Sequence, residues 1–189
     1  MQEVLNQEQG KVLLRLARQA IGEQLGLVEE KPLPQDPGLD VEYGTFVTLK
    51  IGGALRGCIG NILPSGSVAE AIKRNALNAA FDDSRFSPLT AEELAKVHID
   101  ISVLSQPLLL DYSDEEDLIA KLQPGKDGVL LRLGMAGATF LPQVWEQLPD
   151  PQLFLGHLCQ KAGLPATAWR DSHPEIHIYH VQCFAEEMS

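Results

Sequence analysis

The feature that most constrains the fold is the run GTFVTLKIGGALRGCIG at residues 44–60, in which two apolar segments flank a pair of glycines. Gly52 and Gly53 can adopt the positive φ angles that a tight hairpin turn requires. Apolar and β-branched residues on both sides are typical of strands. The run therefore predicts an antiparallel hairpin with its turn at these glycines.

The register of this hairpin depends on the length of its loop. A three-residue loop pairs Leu49 with Leu55 and keeps apolar side chains together on one face of the hairpin. It also places Cys58 opposite Phe46. A two-residue loop would pair Leu49 with Arg56 and mix apolar with polar side chains, so we expect the three-residue loop.

Helix and strand signals follow one another in mixed order along the rest of the chain. Helices are predicted after pairs of capping residues: Asn6 and Gln9, Ser67 and Glu70, Thr90 and Glu93, Ser113 and Glu116, and Asp150 with Pro151. Strands are predicted at residues 96–105, 128–134, 138–142 and 175–184, with a hairpin turn at 135–137. This order is not a regular βαβ repeat, and it predicts an α+β fold with a largely antiparallel sheet. We expect a single domain over residues 1–189.

Charge and hydropathy exclude several classes of protein. Acidic residues outnumber basic ones, and the net charge of -11 disfavours binding to phosphate backbones, so nucleic-acid binding is not expected. Apolar stretches are shorter than a membrane span and the first residues lack the layout of a signal peptide, so we expect a cytoplasmic protein without a membrane partner. The cysteines are widely spaced and form no CxxC pair, which indicates free thiols.

Arg56 and Cys58 are the first candidates for chemistry. They stand two residues apart in a predicted strand, so their side chains leave the same face. A guanidinium beside a thiol favours the thiolate, which is the form that acts as nucleophile or metal ligand. Gly57 and Gly60 lack side chains and would let a ligand or another backbone come close. The alternative is that Cys58 is a small buried hydrophobe, the more frequent role of isolated cysteines.

Further polar residues lie near this strand in the predicted fold. His98 and Asp100 share a strand face and would suit an acid–base pair, although the same spacing is typical of a solvated sheet face. Asn75 borders the apolar stripe of a predicted helix, where it would either orient a ligand or bond to a neighbouring loop. Asp83 and Arg85 are expected to pair where this helix ends, mainly as a structural contact.

The sequence assigns no cofactor and no metal. His173, His177 and His180 do not form a three-histidine site, because positions 177 and 180 point to opposite faces of a strand. The segment GMAGA at 134–138 is not a dinucleotide-binding fingerprint, and no P-loop is present. Cys159 and Cys183 are expected to pack inside a helix layer and a sheet.

A family resemblance rests on several blocks in a fixed order. LRGCIG at 55–60 is similar to the signature hexapeptide of the AMMECR family, called AmmeMemoRadiSam system protein A in bacteria. The similarity continues through NALNAAFDDSRFSPLT at 75–90, IDISVLSQP at 99–107, PGKDGVLL at 124–131, FLPQV at 140–144 and FLGHLCQKAGLP at 154–165. The resemblance implies a compact α+β fold with a larger and a smaller subdomain. Asp100 departs from the family, which usually has Glu at this position.

The resemblance also implies partners, but no settled activity. Bacterial genes of this family occur with a Memo-like protein and a radical SAM enzyme, which makes these two the expected partners.

Two functions remain open. The first is a ligand- or partner-binding component that recognises a small molecule, a peptide or a Memo-like protein in a cleft around LRGCIG. The second is an enzyme or enzyme subunit in which Cys58 is nucleophile or ligand, Arg56 stabilises the thiolate or holds an anion, and Asp100 or His98 moves a proton. The first is preferred because the sequence shows no complete catalytic constellation. The expected ligand-binding residues are Gly57, Gly60, Asn75 and His98.

Overall fold

The computed structural model describes residues 4–187 and divides into two compact units. Unit 1 holds residues 4–104 and 182–187, and unit 2 holds residues 105–181. Each unit has a hydrophobic core of its own. The expectation of one family domain over residues 1–189 stays a prediction, and its outer bounds lie outside the described residues.

The described residues form helices and strands in the mixed order that the sequence predicts. In chain order the helices are α1 (Gln7–Gln24), α2 (Val68–Phe81), α3 (Ala91–Leu94), α4 (Glu115–Lys121), α5 (Pro151–Lys161) and α6 (Ala168–Asp171). The strands are β1 (Gly44–Ile51), β2 (Ala54–Asn61), β3 (Val97–Leu104), β4 (Leu108–Leu109), β5 (Gly128–Leu133), β6 (Ala136–Phe140), β7 (Glu175–Tyr179) and β8 (Val181–Ala185). Short 3-10 helices occupy Pro37–Leu39 and Pro142–Glu146.

The sheet of unit 1 has the strand order β2-β1-β3-β8. Helix α2 contacts β1 and β2, and α1 contacts α2 and β3, so the helices cover one face of this sheet. Alternate residues of β1 and β3 point into that core, including Val47, Leu49, Ile99 and Ile101. The residues between them point to the other face of the sheet, which does not contact this core.

Three helices of unit 1 begin where the sequence predicts. Each is opened by a complete capping box: Asn6 with Gln9, Ser67 with Glu70, and Thr90 with Glu93. The reciprocal bonds satisfy backbone N–H groups that the first turn of a helix leaves without partners. These helix starts are confirmed.

The hairpin forms at the predicted glycines, but with a different loop. Ile51 pairs with Ala54, so Gly52 and Gly53 make a two-residue turn, with φ angles of 57° and 82°. Positive φ at both central residues is the conformation whose twist suits a two-residue hairpin. The expected three-residue loop is therefore wrong.

A β-bulge prevents the pairing of Leu49 with Arg56 that a two-residue loop would otherwise produce. Lys50 pairs with Leu55, whereas the neighbouring Leu49 pairs with Gly57, which leaves Arg56 as an extra residue on β2. An inserted residue shifts the alternation of the strand beyond it. Leu49 thus keeps a buried partner instead of facing Arg56, without a longer loop.

Unit 2 contains the second antiparallel sheet, with strand order β4-β7-β5-β6. Its core includes Trp145, whose ring stacks on Phe154 with 3.6 Å between centroids. Strands β5 and β6 form the predicted hairpin, with the turn at Gly134 and Met135 instead of at 135–137. Helix α5 begins after Asp150, which caps it as predicted.

Two further local predictions are wrong. Helix α4 is capped by Asp114, whose carboxylate accepts the N–H of Asp117, because this helix starts one residue later than a Ser113 cap requires. Residues 175–184 form two strands in different sheets, separated at His180. The apolar pattern there is continuous in sequence, so it does not reveal the break.

The two antiparallel sheets and their helices confirm the α+β fold class. None of the helices within residues 4–187 combines the length and apolar character needed to cross a membrane.

Candidate binding face around Cys58

The face of the first sheet that points away from α1 and α2 is polar. On β1 the buried Val47 and Leu49 alternate with the half-buried Thr48 and Lys50. We call the outward set the polar face, which consists of Phe46, Thr48, Lys50, Cys58, Gly60, His98, Asp100 and Ser102. Because side chains alternate between the two faces of a strand, the sequence was sufficient to place Thr48 and Lys50 on the polar face.

Thr48 lies at the centre of a row that crosses three strands. It pairs with Cys58 on β2 and with Asp100 on β3. The expected pairing of Cys58 with Phe46 is therefore wrong. The Thr48 hydroxyl donates to the Cys58 sulfur at 3.2 Å. Cys58 and Asp100 flank Thr48 from opposite sides, which separates them by two strand spacings, roughly 10 Å.

His98 and Asp100, the predicted pair, do lie together. His98 Nε2 is 3.2 Å from Asp100 Oδ1, and Lys50 Nζ is 2.5 Å from Asp100 Oδ2. Their side chains are partly accessible, with exposed fractions of 25% for His98, 23% for Asp100 and 40% for Lys50. The Asp100 carboxylate is thus shared by two cationic or potentially cationic groups and remains reachable from solvent.

Arg56 does not engage the thiol. Its Nε and Nη2 donate to the Glu93 carboxylate at 2.9 and 3.0 Å, and Nη2 also donates to the Ser87 carbonyl at 2.9 Å. Hydrogen bonds from Arg56 lower the pKa of Glu93 from 4.5 to about 2. Its Nη1 is buried and has no hydrogen-bond partner among residues 4–187. The bulge at Arg56 changes the direction that simple alternation predicts for this side chain.

The residues that do contact Cys58 from the open edge of β2 are Asp83 and Arg85. Asp83 Oδ2 accepts the Cys58 N–H at 2.9 Å, and Arg85 Nη2 donates to the Cys58 carbonyl at 3.2 Å. Sequence reasoning paired these two residues with each other, which the structure confirms, but missed their contact with the cysteine strand. An aspartate and an arginine two residues apart after a helix were the available signal.

The two glycines and Asn75 are close to protein atoms. A Cβ at Gly57 would overlap the Ala79 carbonyl oxygen in α2, and one at Gly60 would overlap the Thr45 carbonyl oxygen and the Phe46 ring. Close approach at Gly57 is therefore made by another backbone, one of the two possibilities raised by the sequence. Asn75 is 1% exposed and donates to the carbonyl and hydroxyl oxygens of Thr45 at 3.2 and 3.0 Å. It lies on the helix-covered side of the sheet.

The other two cysteines have opposite environments. Cys159 is fully buried in unit 2, and this burial raises the pKa of its thiol. Cys183 is exposed on β8, with its sulfur 3.7 Å from the Ser102 hydroxyl, so the expectation that it packs inside a sheet is wrong. An edge strand has a neighbour on one side only, and its side chains are less covered.

Metal-binding side chains do not converge in the part of the chain that the structure describes. No three His, Cys, Asp or Glu side chains of residues 4–187 lie close enough to share an ion. His180 instead pairs with the buried Asp127, at 3.2 Å between Nε2 and Oδ1. A groove of about 1620 Å³ beside α1 and β8 includes His98 and Cys183 in its described lining, but not Cys58.

Comparison with known proteins finds a matching family model, several relatives and a similar solved structure. A family model described as AMMECR1 matches residues 14–184. A protein of Thermofilum pendens is 38% identical and covers 96% of this chain and 92% of its own length, and Methanopyrus kandleri protein MK0488 is 37% identical with coverages of 99% and 93%. The crystal structure of the uncharacterized protein PH0010 from Pyrococcus horikoshii matches with a TM-score of 0.85 at 36% identity, covering 98% of this chain and 95% of that chain.

Proposed function

The chain belongs to the AMMECR1 family, and from that premise we propose that it is a ligand- or partner-binding component whose binding surface is the polar face around Cys58. Strands hold the side chains of this face in fixed positions, as precise recognition requires. The face combines a thiol, hydroxyls, a carboxylate, an ammonium and an imidazole, so it offers both donors and acceptors.

One observation carries the proposal. The row Cys58–Thr48–Asp100 crosses three strands, with Lys50 and His98 attached to its acidic end, and these ionic side chains remain 23–40% exposed. Charged groups held in fixed positions on a sheet can match complementary charges of a ligand or partner and fix its orientation.

The sulfur's environment favours binding over catalysis. Within residues 4–187, the side-chain hydrogen-bond partner of Cys58 is the Thr48 hydroxyl, which is not a base at neutral pH. Asp100 is bonded to Lys50 and His98 on the far side of Thr48. A nucleophilic thiol would need a base within hydrogen-bond reach.

The second candidate is an enzyme or enzyme subunit that uses Cys58 as nucleophile or ligand. Arg85 favours it, because its guanidinium donates to the Cys58 backbone carbonyl and would hold an anionic substrate beside this residue. In this case Thr48 would orient the sulfur.

The partners that we propose are a Memo-like protein, together with a radical SAM enzyme. This choice rests on the family resemblance, since bacterial genes for the three proteins occur together. A Memo-like partner would meet the polar face, where complementary charges would fix its orientation.

Titration calorimetry with a Memo-like protein tests the proposal. Cys58→Ser should leave the Kd within about twofold, whereas Asp100→Lys should weaken binding by about tenfold or more, because it reverses the charge at the acidic end of the row. The matched control is Glu116→Lys, an equal charge change at an exposed position on α4. Equal effects of Asp100→Lys and Glu116→Lys would contradict the assigned surface. A folded Cys58→Ser protein that binds normally but abolishes a reaction of the assembled proteins would favour the enzyme.

A further inference from the structure

The outer edge of β2 is closed by two side chains instead of a neighbouring strand. Asp83 accepts the Cys58 N–H at 2.9 Å, and Arg85 donates to the Cys58 carbonyl at 3.2 Å. An edge strand otherwise presents such groups to solvent or to another chain. The two side chains therefore fix the backbone of Cys58 and bring a guanidinium next to it.

Asp83 holds Arg85 in one orientation. Arg85 Nε and Nη2 donate to the two carboxylate oxygens of Asp83 at 2.9 and 2.7 Å, and the Arg85 backbone N–H donates to the same group at 3.2 Å. The carboxylate is buried, with 4% of the side chain exposed. Hydrogen bonds from Arg85 hold the pKa of Asp83 well below its usual range, so the pair stays ionised.

Part of the Arg85 guanidinium is available to bind a ligand. The Arg85 side chain is 53% exposed, and its Nη1 makes no hydrogen bond to the described residues. A planar guanidinium fixed on one edge presents its remaining N–H groups in a defined direction, which is how arginine recognises carboxylate and phosphate. Phe86 lies beside it, with its ring centroid 5.5 Å from the Arg85 guanidinium carbon.

We propose that Arg85 is an anion-recognition residue of the Cys58 site, positioned by Asp83, and that the ligand of this site places an oxyanion, a carboxylate or a phosphate, against the free edge of the guanidinium. This proposal rests on the proposed function of the polar face and adds the chemical class of its ligand. It also moves the cationic role expected of Arg56 to Arg85, since Arg56 is bonded to Glu93.

Paired alkylation of Cys58 tests it. Iodoacetate and iodoacetamide both transfer a two-carbon group to the thiolate with loss of iodide, but iodoacetate carries a negative charge. The ratio of their rates at one thiol cancels its exposure and its thiolate fraction, and so reports the local preference for an anion. Peptide mass spectrometry resolves Cys58 from the exposed Cys183, which is the internal control.

The expected changes have opposite signs. Arg85→Gln lowers the iodoacetate-to-iodoacetamide ratio at Cys58 by about threefold, because it removes a unit positive charge that is hydrogen-bonded to the Cys58 backbone carbonyl. Asp83→Asn raises the ratio, since it removes the carboxylate that offsets the guanidinium. The ratio at Cys183 stays constant, and so does that at Cys58 in the matched control Arg15→Gln, an exposed arginine of α1. A purely structural role would change both Cys58 rates together.

Several results would overturn the inference. The first is an iodoacetate-to-iodoacetamide ratio at Cys58 that is unchanged in Arg85→Gln, or that falls equally in Arg15→Gln. The second is a ratio that falls in Asp83→Asn as it does in Arg85→Gln. The third is a Cys58 that reacts with neither reagent in the folded protein. Acetate and inorganic phosphate, compared at equal ionic strength as competitors of iodoacetate, distinguish a carboxylate site from a phosphate site. A responsive ratio without partner binding rejects the proposed function alone, and partner binding with a flat ratio rejects this inference alone.

Discussion

At the scale of single residues, Arg56 and Glu93 join the bulge of β2 to the start of α3. Arg56 is 12% exposed at its side chain and makes two bonds to Glu93, which also accepts the N–H of Thr90 in the capping box. A paired guanidinium and carboxylate with this little exposure interact more strongly than a fully solvated pair. The contact therefore makes the stability of unit 1 sensitive to acid.

Glu93→Gln should remove that sensitivity. The pKa of Glu93 lies at about 2 in the folded protein, below its ordinary value of 4.5. A lowered pKa contributes stability that is present above 4.5 and is lost as the pH falls toward 2. The variant should be less stable by about 1 kcal/mol at neutral pH, and the difference from wild type should disappear in acid. Thermal unfolding measured between neutral pH and pH 2 checks this.

The control is Glu92→Gln, the exposed neighbouring position. Glutamine at position 93 can still accept the capping bond, so loss of the helix start does not explain the result. A difference between Glu93→Gln and wild type that is independent of pH would count against the ion pair.

At the scale of elements, the turn of the β1–β2 hairpin depends on backbone conformation alone. A Cβ at Gly52 would meet nothing within 4 Å, but the residue has a φ of 57°. Most L-residues are strained in this region, whereas Asn tolerates it. Packing and conformational strain can therefore be separated at this position.

Gly52→Ala should destabilise the protein by about 1 kcal/mol, because alanine adopts positive φ only with strain. Gly52→Asn should be close to neutral, since Asn-Gly is a preferred sequence for this type of turn. Urea unfolding of the two variants gives the comparison. Equal stability of the two variants would show that the turn does not hold this conformation in solution.

The starts of α1, α2 and α3 were predictable because capping is local. The residues of a capping box are three positions apart, so sequence alone brings them together. Loop length and bulge were not predictable in the same way. The two-residue turn and the three-residue loop differ by only one residue, and local sequence does not distinguish them. The register is selected by the tertiary structure, because Leu49 must stay buried in the core of unit 1.

At the scale of the whole molecule, the three thiols sample three environments. Cys183 is exposed, Cys58 is half-buried and Cys159 is buried in the core of unit 2. Burial also raises the pKa of Cys159, which lowers the fraction of reactive thiolate. The thiols therefore report separately on a sheet edge, the polar face and a core.

Iodoacetamide at neutral pH should label Cys183 first and Cys58 second. Cys159 should react at least about 100-fold more slowly than Cys183, because its reaction requires unit 2 to open. Timed quenching with peptide mass spectrometry measures all three rates, and denaturant should make them similar. Rapid labelling of Cys159 without denaturant would contradict the buried position.

Sequence by itself determined the α+β class, the capping boxes of α1, α2 and α3, and the family, because these depend on local periodicity and on motifs that are contiguous in the chain. It also brought attention to Cys58 and to the pair of His98 and Asp100. Only the tertiary structure decided what surrounds them. The contact of Asp83 with Cys58 spans 25 residues and that of Arg56 with Glu93 spans 37. Such contacts depend on how a bulge, a sheet edge and a connecting loop meet in space, which the spacing of residues along the chain does not specify.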